Sequence, residues 1–172
     1  MMASTLTRKA RLQAQSRIDS PLGPMTLAAT DLGLAGAWFD RQQHHPQDID
    51  APTRPDHPIL RLAASEFEDY WRDARRRFTV PLDAWGTEFQ QQVWRALCGI
   101  AAGQLSTYGE VARHIGRPDA VRAVGTAIGR NPLSVIVPCH RVIGRDGSLT
   151  GYAGGLQRKA ALLKHEGAEV AT

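Results

Sequence analysis

Residues 107–132 read TYGEVARHIGRPDAVRAVGTAIGRNP. Val111, Ala112 and Ile115 recur at helical spacing, Gly116-Arg117-Pro118-Asp119 interrupts the pattern, and Val121, Val124 and Ile128 resume it on a second face. Apolar residues three and four apart share one side of a helix, so the stretch predicts two short helices joined by a glycine-containing turn. That is a helix-turn-helix pattern, with Asp119 expected as N-cap of the second helix. An ordinary helical hairpin has the same periodicity. The expected exposed face separates the two, because Arg122, Ala123, Thr126, Ala127 and Arg130 interleave small residues with arginine. Such a face can approach a nucleic-acid groove closely, including the narrow minor groove. Asn131-Pro132 then ends the helix, since proline cannot continue it.

Just downstream, residues 135–144 read VIVPCHRVIG. Ser134 to Val137 predicts a short buried strand, Pro138 ends any ladder, and Cys139 sits at the exit. A free thiol titrates near ~8.5 and needs a cationic or hydrogen-bonding neighbour to ionise at neutral pH. His140 and Arg141 are the nearest candidates, although the expected role of Arg141 is structural pairing near the helix and strand that hold the site. In an extended segment successive side chains point to opposite faces, so Cys139 and His140 would need a bridging water or a turn to cooperate.

Upstream, Thr87 with Gln90 fits a capping box, and Phe89, Val93, Trp94, Leu97 and Cys98 share a helical face, which makes Cys98 an expected buried, inert core residue. The pattern resets at Asp83-Ala84-Trp85-Gly86, so two domains are expected, residues 1–85 and 86–172. In the first, strands at 16–20, 25–30 and 34–39 follow turn signals and suggest a small meander. Residues 1–15 are expected to be flexible, and residues 40–58 form a polar, proline-rich loop in which His44 and His45 read as solvated. An amphipathic helix is expected over 59–77 and a further strand over 78–82. The fold class is α+β: a small antiparallel sheet with a helix, then a mainly helical domain.

The chain has 172 residues and a formal charge of +4. Residues 1–85 hold 11 Lys/Arg against 11 Asp/Glu, whereas residues 86–172 hold 10 against 6, so the excess lies in the second half, where a polyanion would dock. Eighteen of the 21 basic residues are arginine, a type suited to phosphates and base stacking, although a GC-rich genome gives the same bias. No apolar run approaches the roughly 20 residues that cross a bilayer, and the N-terminus lacks an apolar leader, so a cytoplasmic protein without a membrane partner is expected. Two unpaired, distant cysteines argue against a zinc ribbon, a redox pair or a disulfide scaffold.

The residues now carry a resemblance. Arg122, Asn131-Pro132, PCHRVIG at 138–144, Gly151-Tyr152-Ala153-Gly154-Gly155 and LLKHEG at 162–167 together resemble the O6-alkylguanine-DNA alkyltransferases, the methylated-DNA–protein-cysteine methyltransferase family. The likeness runs over residues 87–167, and SPLGPMTLA near the N-terminus is similar to the family's first hairpin. It implies a ribonuclease H-like N-terminal domain, a winged-helix-like C-terminal domain, and a suicide transfer of methyl or alkyl groups from O6 of guanine, and from O4 of thymine, to Cys139. His140 would take the thiol proton through a water, Glu166 would orient His140, Asn131 would be the hinge, and Tyr108 would assist the leaving guanine.

The same resemblance implies that Arg122 enters the base stack in place of a flipped nucleotide, with Tyr108, Gly109, Ala123, Thr126, Ala127 and Arg130 against DNA. Tyr152, Ala153, Gly154, Val142 and Ile128 would line the alkyl pocket. Gly154 leaves room there, so adducts larger than methyl, such as benzyl, are expected to be accepted. Ala153 stands where some relatives carry serine, which removes a hydroxyl contact. No cofactor or metal is expected, and the partner is double-stranded DNA containing O6-alkylguanine, bound by a monomer that could assemble cooperatively. Extrusion of the base costs roughly a few kcal/mol, and binding should be largely sequence-independent and salt-sensitive. A non-catalytic lesion-binding relative, a helix-turn-helix regulator with a structural cysteine, and a cysteine hydrolase are the competing readings.

Overall fold

A computed structural model describes residues 12–170. The chain forms two compact units, residues 45–85 with those up to 41, and residues 86–170 with 42–44.

The first unit is an antiparallel meander of β1 (Ala14–Ile18), β2 (Met25–Ala29) and β3 (Leu34–Phe39) in the order β1-β2-β3. Every residue of β2 is buried, as befits a central strand. Most of the expected flexible leader lies outside the described residues, but Ala14 and Gln15 already belong to β1. Helix α1 (Pro58–Arg72) lays Leu60, Ala63, Phe67 and Tyr70 against the sheet. Proline suits its first turn, where an N–H has no helical partner anyway. The helix stops before the expected residue 77 because Asp73 is extended and its carboxylate takes the Arg75 N–H, an alternative to the helical bond.

The strand expected over 78–82 is reduced to a single bridge between Leu34 and Leu82. The Glu66 carboxylate accepts the N–H groups of Thr79 and Val80, and Pro81 has none to offer a ladder.

In the second unit, α2 (Glu88–Cys98), α3 (Tyr108–His114) and α4 (Val121–Gly129) pack on one another. Thr87 and Gln90 form the expected capping box, and Thr107 with Glu110 forms a second one at α3. Short β4 (Ser106–Thr107) and β5 (Val142–Ile143) pair in parallel, and α5 (Leu156–His165) completes the unit. Two sequence expectations change here. Helix α4 is capped at Ala120 with no side-chain hydrogen bond, so Asp119 is not its N-cap. Cys98 is exposed, because the apolar stripe of Val93, Trp94 and Leu97 runs out at the last residue of α2. Among the described residues no helix is long and apolar enough to cross a membrane.

Candidate active site

Cys139 is not carried by a strand. Residues 134–136 are turns, Val135 takes a left-handed φ of 73°, and Val137 donates to the Leu133 carbonyl at 2.9 Å. Pro138, at φ −81° and ψ 63°, centres an inverse γ-turn closed by Cys139 N–H to the Val137 carbonyl at 2.8 Å. Cys139–Arg141 then forms a 3-10 turn leading into β5. The apolar run is too tightly wound to pair because Asn131 has taken its backbone groups. Asn131 Oδ1 accepts the Leu133 N–H at 2.9 Å, and Nδ2 donates to the Val137 carbonyl at 2.8 Å. The same Nδ2 donates to Cys139 Sγ at 3.2 Å. A carboxamide offers a carbonyl acceptor and two N–H donors from a single buried end.

The turn settles how three consecutive residues divide. The Cys139 and His140 side chains are both buried, and Arg141 points to the same carboxylate as His140. His140 Nε2 meets Glu166 Oε1 at 2.7 Å, while Arg141 donates from Nε to Oε2 at 2.9 Å and from Nη2 to Oε1 at 2.8 Å. Arg141 also donates to the Ile100 carbonyl. The arginine is therefore an anchor for Glu166 rather than a support for the thiolate.

Burial would raise the Glu166 pKa, but hydrogen bonds from His140 and Arg141 outweigh it and hold the carboxyl at about 2. An ionised Glu166 accepts the Nε2 proton, which leaves His140 Nδ1 as a lone-pair acceptor. Nδ1 is buried with no hydrogen-bond partner among the described residues. Burial lowers the His140 pKa, against the pull of Glu166, and so favours the neutral ring. Burial also raises the Cys139 thiol pKa, opposed by the Asn131 hydrogen bond and the charge of Lys159. Both shifts favour the uncharged forms, a thiol next in sequence to an imidazole.

Lys159 was not singled out in the sequence, yet it is completely buried. Its Nζ donates to the Val142 and Thr150 carbonyls, each at 2.6 Å, tying β5 to the loop before α5. Desolvation lowers its pKa to about 8, with the Cys139 charge opposing. The available signal was its place three and four residues before Leu162 and Leu163, on the buried stripe of α5.

The residues expected to line the pocket divide. Tyr152, Gly154, Val142 and Ile128 are buried, and Ala153 is half-buried. The Tyr152 ring stands edge-on to His140 at 6.4 Å between centroids. A Cβ on Gly154 would lie 2.5 Å from the Tyr152 ring, so the room that glycine leaves is filled by that ring. Tyr108 Oη donates to the Thr150 carbonyl at 3.3 Å, joining α3 to the same loop.

On α4 Arg122, Ala123 and Thr126 are exposed, as is Arg130 at its C-cap. Ala127 is not: it is buried, with Trp94 Nε1–H donating to its carbonyl at 2.9 Å, because it faces α2. Together with Thr87, Phe89, Arg122, Ala123 and Thr126 it borders an open cleft of about 620 Å³. Gly109 opens α3 beside Tyr108.

Residues 15–84 match the family described as the ribonuclease-like domain of 6-O-methylguanine DNA methyltransferase, and residues 88–168 match its DNA-binding domain. The methylated-DNA–protein-cysteine methyltransferase of Mycobacterium tuberculosis is 46% identical over 149 residues, 87% of this chain and 89% of the relative. That of Methanosarcina barkeri is 46% identical over 87% of this chain and 94% of the relative. The crystal structure of Mycobacterium tuberculosis OGT in complex with DNA superposes with a TM-score of 0.79 at 44% identity, covering 90% and 92% of the two chains. A buried cysteine, an asparagine on its sulfur and a His–Glu–Arg cluster beside it thus lie in a chain matched over both of its units, and the chain belongs to the methylated-DNA–protein-cysteine methyltransferase family.

Proposed function

We propose that this chain repairs DNA by moving an alkyl group from O6 of guanine, and from O4 of thymine, irreversibly to Cys139. The arrangement of Cys139, Asn131, His140 and Glu166 is the observation that carries the reading. His140 Nδ1, buried without a partner among the described residues, takes the thiol proton through a bridging water, a group such buried polar atoms normally require. Glu166 fixes the ring and stabilises the imidazolium that forms. The thiolate, stabilised by Asn131 and by the Lys159 charge, attacks the alkyl carbon in line. The C–S bond forms as the C–O6 bond breaks, and guanine leaves as a proton arrives at the base from Tyr108. A thioether has no route back to a thiol here, so each molecule acts once.

The target atom lies inside a stacked duplex and must be extruded. Arg122, exposed on α4 among small side chains, fills the gap in the stack from the minor-groove side, with Ala123, Thr126 and Arg130 against the backbone. Gly109 and the buried Ala127 let the backbone approach. All reacting groups come from one chain, so a monomer suffices, and assembly on DNA would be an addition to it. A free thiol is needed, which suits the reducing cytoplasm, where the protein would act on nucleoid DNA.

Mass measurement after incubation with duplex DNA bearing O6-methylguanine tests this. The expected result is one added methyl on the Cys139 peptide, never more than one per molecule. Repeated turnover, or equal transfer by Cys139→Ala, overturns it.

A further inference from the structure

The unit that holds Cys139 takes in three residues from far upstream, 42–44. The backbone around them is unusual. Arg41 at φ 63° and His44 at φ 59° are both left-handed, a region that side-chain-bearing residues disfavour, and together they bracket the dipeptide Gln42-Gln43. Such conformations persist where surrounding contacts over-determine them.

Two contacts do so. Gln42 is buried, and its Oε1 accepts from Ser134 Oγ at 3.0 Å. Gln43 N–H donates to the Ala153 carbonyl at 2.8 Å. Ser134 belongs to the turns that Asn131 holds against Cys139, and Ala153 lies between Tyr152 and Gly154 in the loop before α5. One dipeptide therefore touches both loops that flank the acceptor thiol.

We propose that Gln42-Gln43 is a positioning brace that sets the spacing of the acceptor and pocket loops, and thereby the size of the alkyl group Cys139 accepts. The proposal rests on the alkyl-transfer reading above. With the brace in place the Tyr152 ring is held over Gly154, where it occupies the room a larger adduct needs. Loosening the loop frees that ring, so benzyl transfer gains relative to methyl transfer while the protein stays folded.

The test uses Gln42→Ala, which removes the acceptor, and Gln43→Pro, which removes the N–H. Amide hydrogen exchange at Tyr152 to Gly155 and the ratio of benzyl to methyl transfer to Cys139 are both measured. In each variant exchange should quicken and the ratio should rise by about threefold to tenfold, the factor that one lost hydrogen bond is worth. Gln43→Ala keeps the N–H and should exchange like the wild type, a distinction that general destabilisation would not produce. If Gln43→Pro does not fold, Gln42→Ala carries the test alone. Wild-type exchange and an unchanged ratio in Gln42→Ala and in any folded Gln43→Pro overturn the brace. No transfer by the wild type at all would overturn the alkyl-transfer reading instead.

Discussion

Arg141 grips Glu166 with a two-pronged fork, Nε on Oε2 at 2.9 Å and Nη2 on Oε1 at 2.8 Å, and the carboxylate it grips is the one that meets His140. The Glu166 side chain is fully buried and that of Arg141 nearly so. Removing one partner strands the other charge, so Arg141→Gln should lose about 3–5 kcal/mol in urea unfolding. Arg141→Lys keeps the charge but not the planar fork and should recover only part of that loss. The carboxyl sits at about 2 in the folded chain, below its ordinary value of 4.5. A depressed carboxylate stabilises the fold above its unfolded pKa, and that contribution is lost as pH falls from about 4.5 towards about 2. The acid limb of a stability–pH curve should therefore flatten in Glu166→Gln across that window.

Asn131 serves the backbone and the sulfur together. Asn131→Ala leaves the Leu133 N–H and the Val137 carbonyl without their partner, at about 1–3 kcal/mol for each buried group stranded. It also removes the one side-chain hydrogen bond that lowers the thiol pKa. The rate of Cys139 alkylation by a small haloacetamide, followed against pH, should shift to higher pH in this variant. An unshifted profile would mean that the 3.2 Å contact does not influence the sulfur.

Gly154 and Tyr152 exclude each other's alternatives. A methyl group at 154 would fall 2.5 Å from the ring, so Gly154→Ala should cost about 1–3 kcal/mol through overpacking. In a Tyr152→Ala background the same change should cost close to nothing. A double-mutant cycle measures the coupling, and additive costs would place the clash elsewhere.

The Arg122 side chain is exposed, so Arg122→Ala should alter stability by less than about 0.5 kcal/mol. On the proposed reading, in which Arg122 enters the base stack, Arg122→Ala should weaken binding to lesion-bearing duplex. On the same reading Arg130 meets a phosphate, so Arg130→Ala should instead lower the slope of log affinity against log salt by about one. Equal behaviour of the two variants in both assays would remove the distinction between stack and phosphate.

Helices α1 to α4 were legible from periodicity and punctuation, because a buried helical face must repeat every three to four residues and a capping box is local chemistry, whereas α5 was not read. The order of strands in the meander and the identity of Cys139, His140 and Glu166 as site candidates came from the chain as well, the last of these through family resemblance. What periodicity misread was Ser134 to Val137, whose apolar run looks like a strand but is wound into turns by a carboxamide three residues before it. The partner of Arg141 and the burial of Lys159 could not be read, since a charged residue is expected at the surface until the buried acceptors that hold it are known. The same holds for Gln42 and Gln43, in a segment that reads as solvated loop. Local rules determined which elements form. Only the tertiary structure decided which distant polar groups find each other, because a hydrogen bond across 92 or 26 positions leaves no period in the sequence.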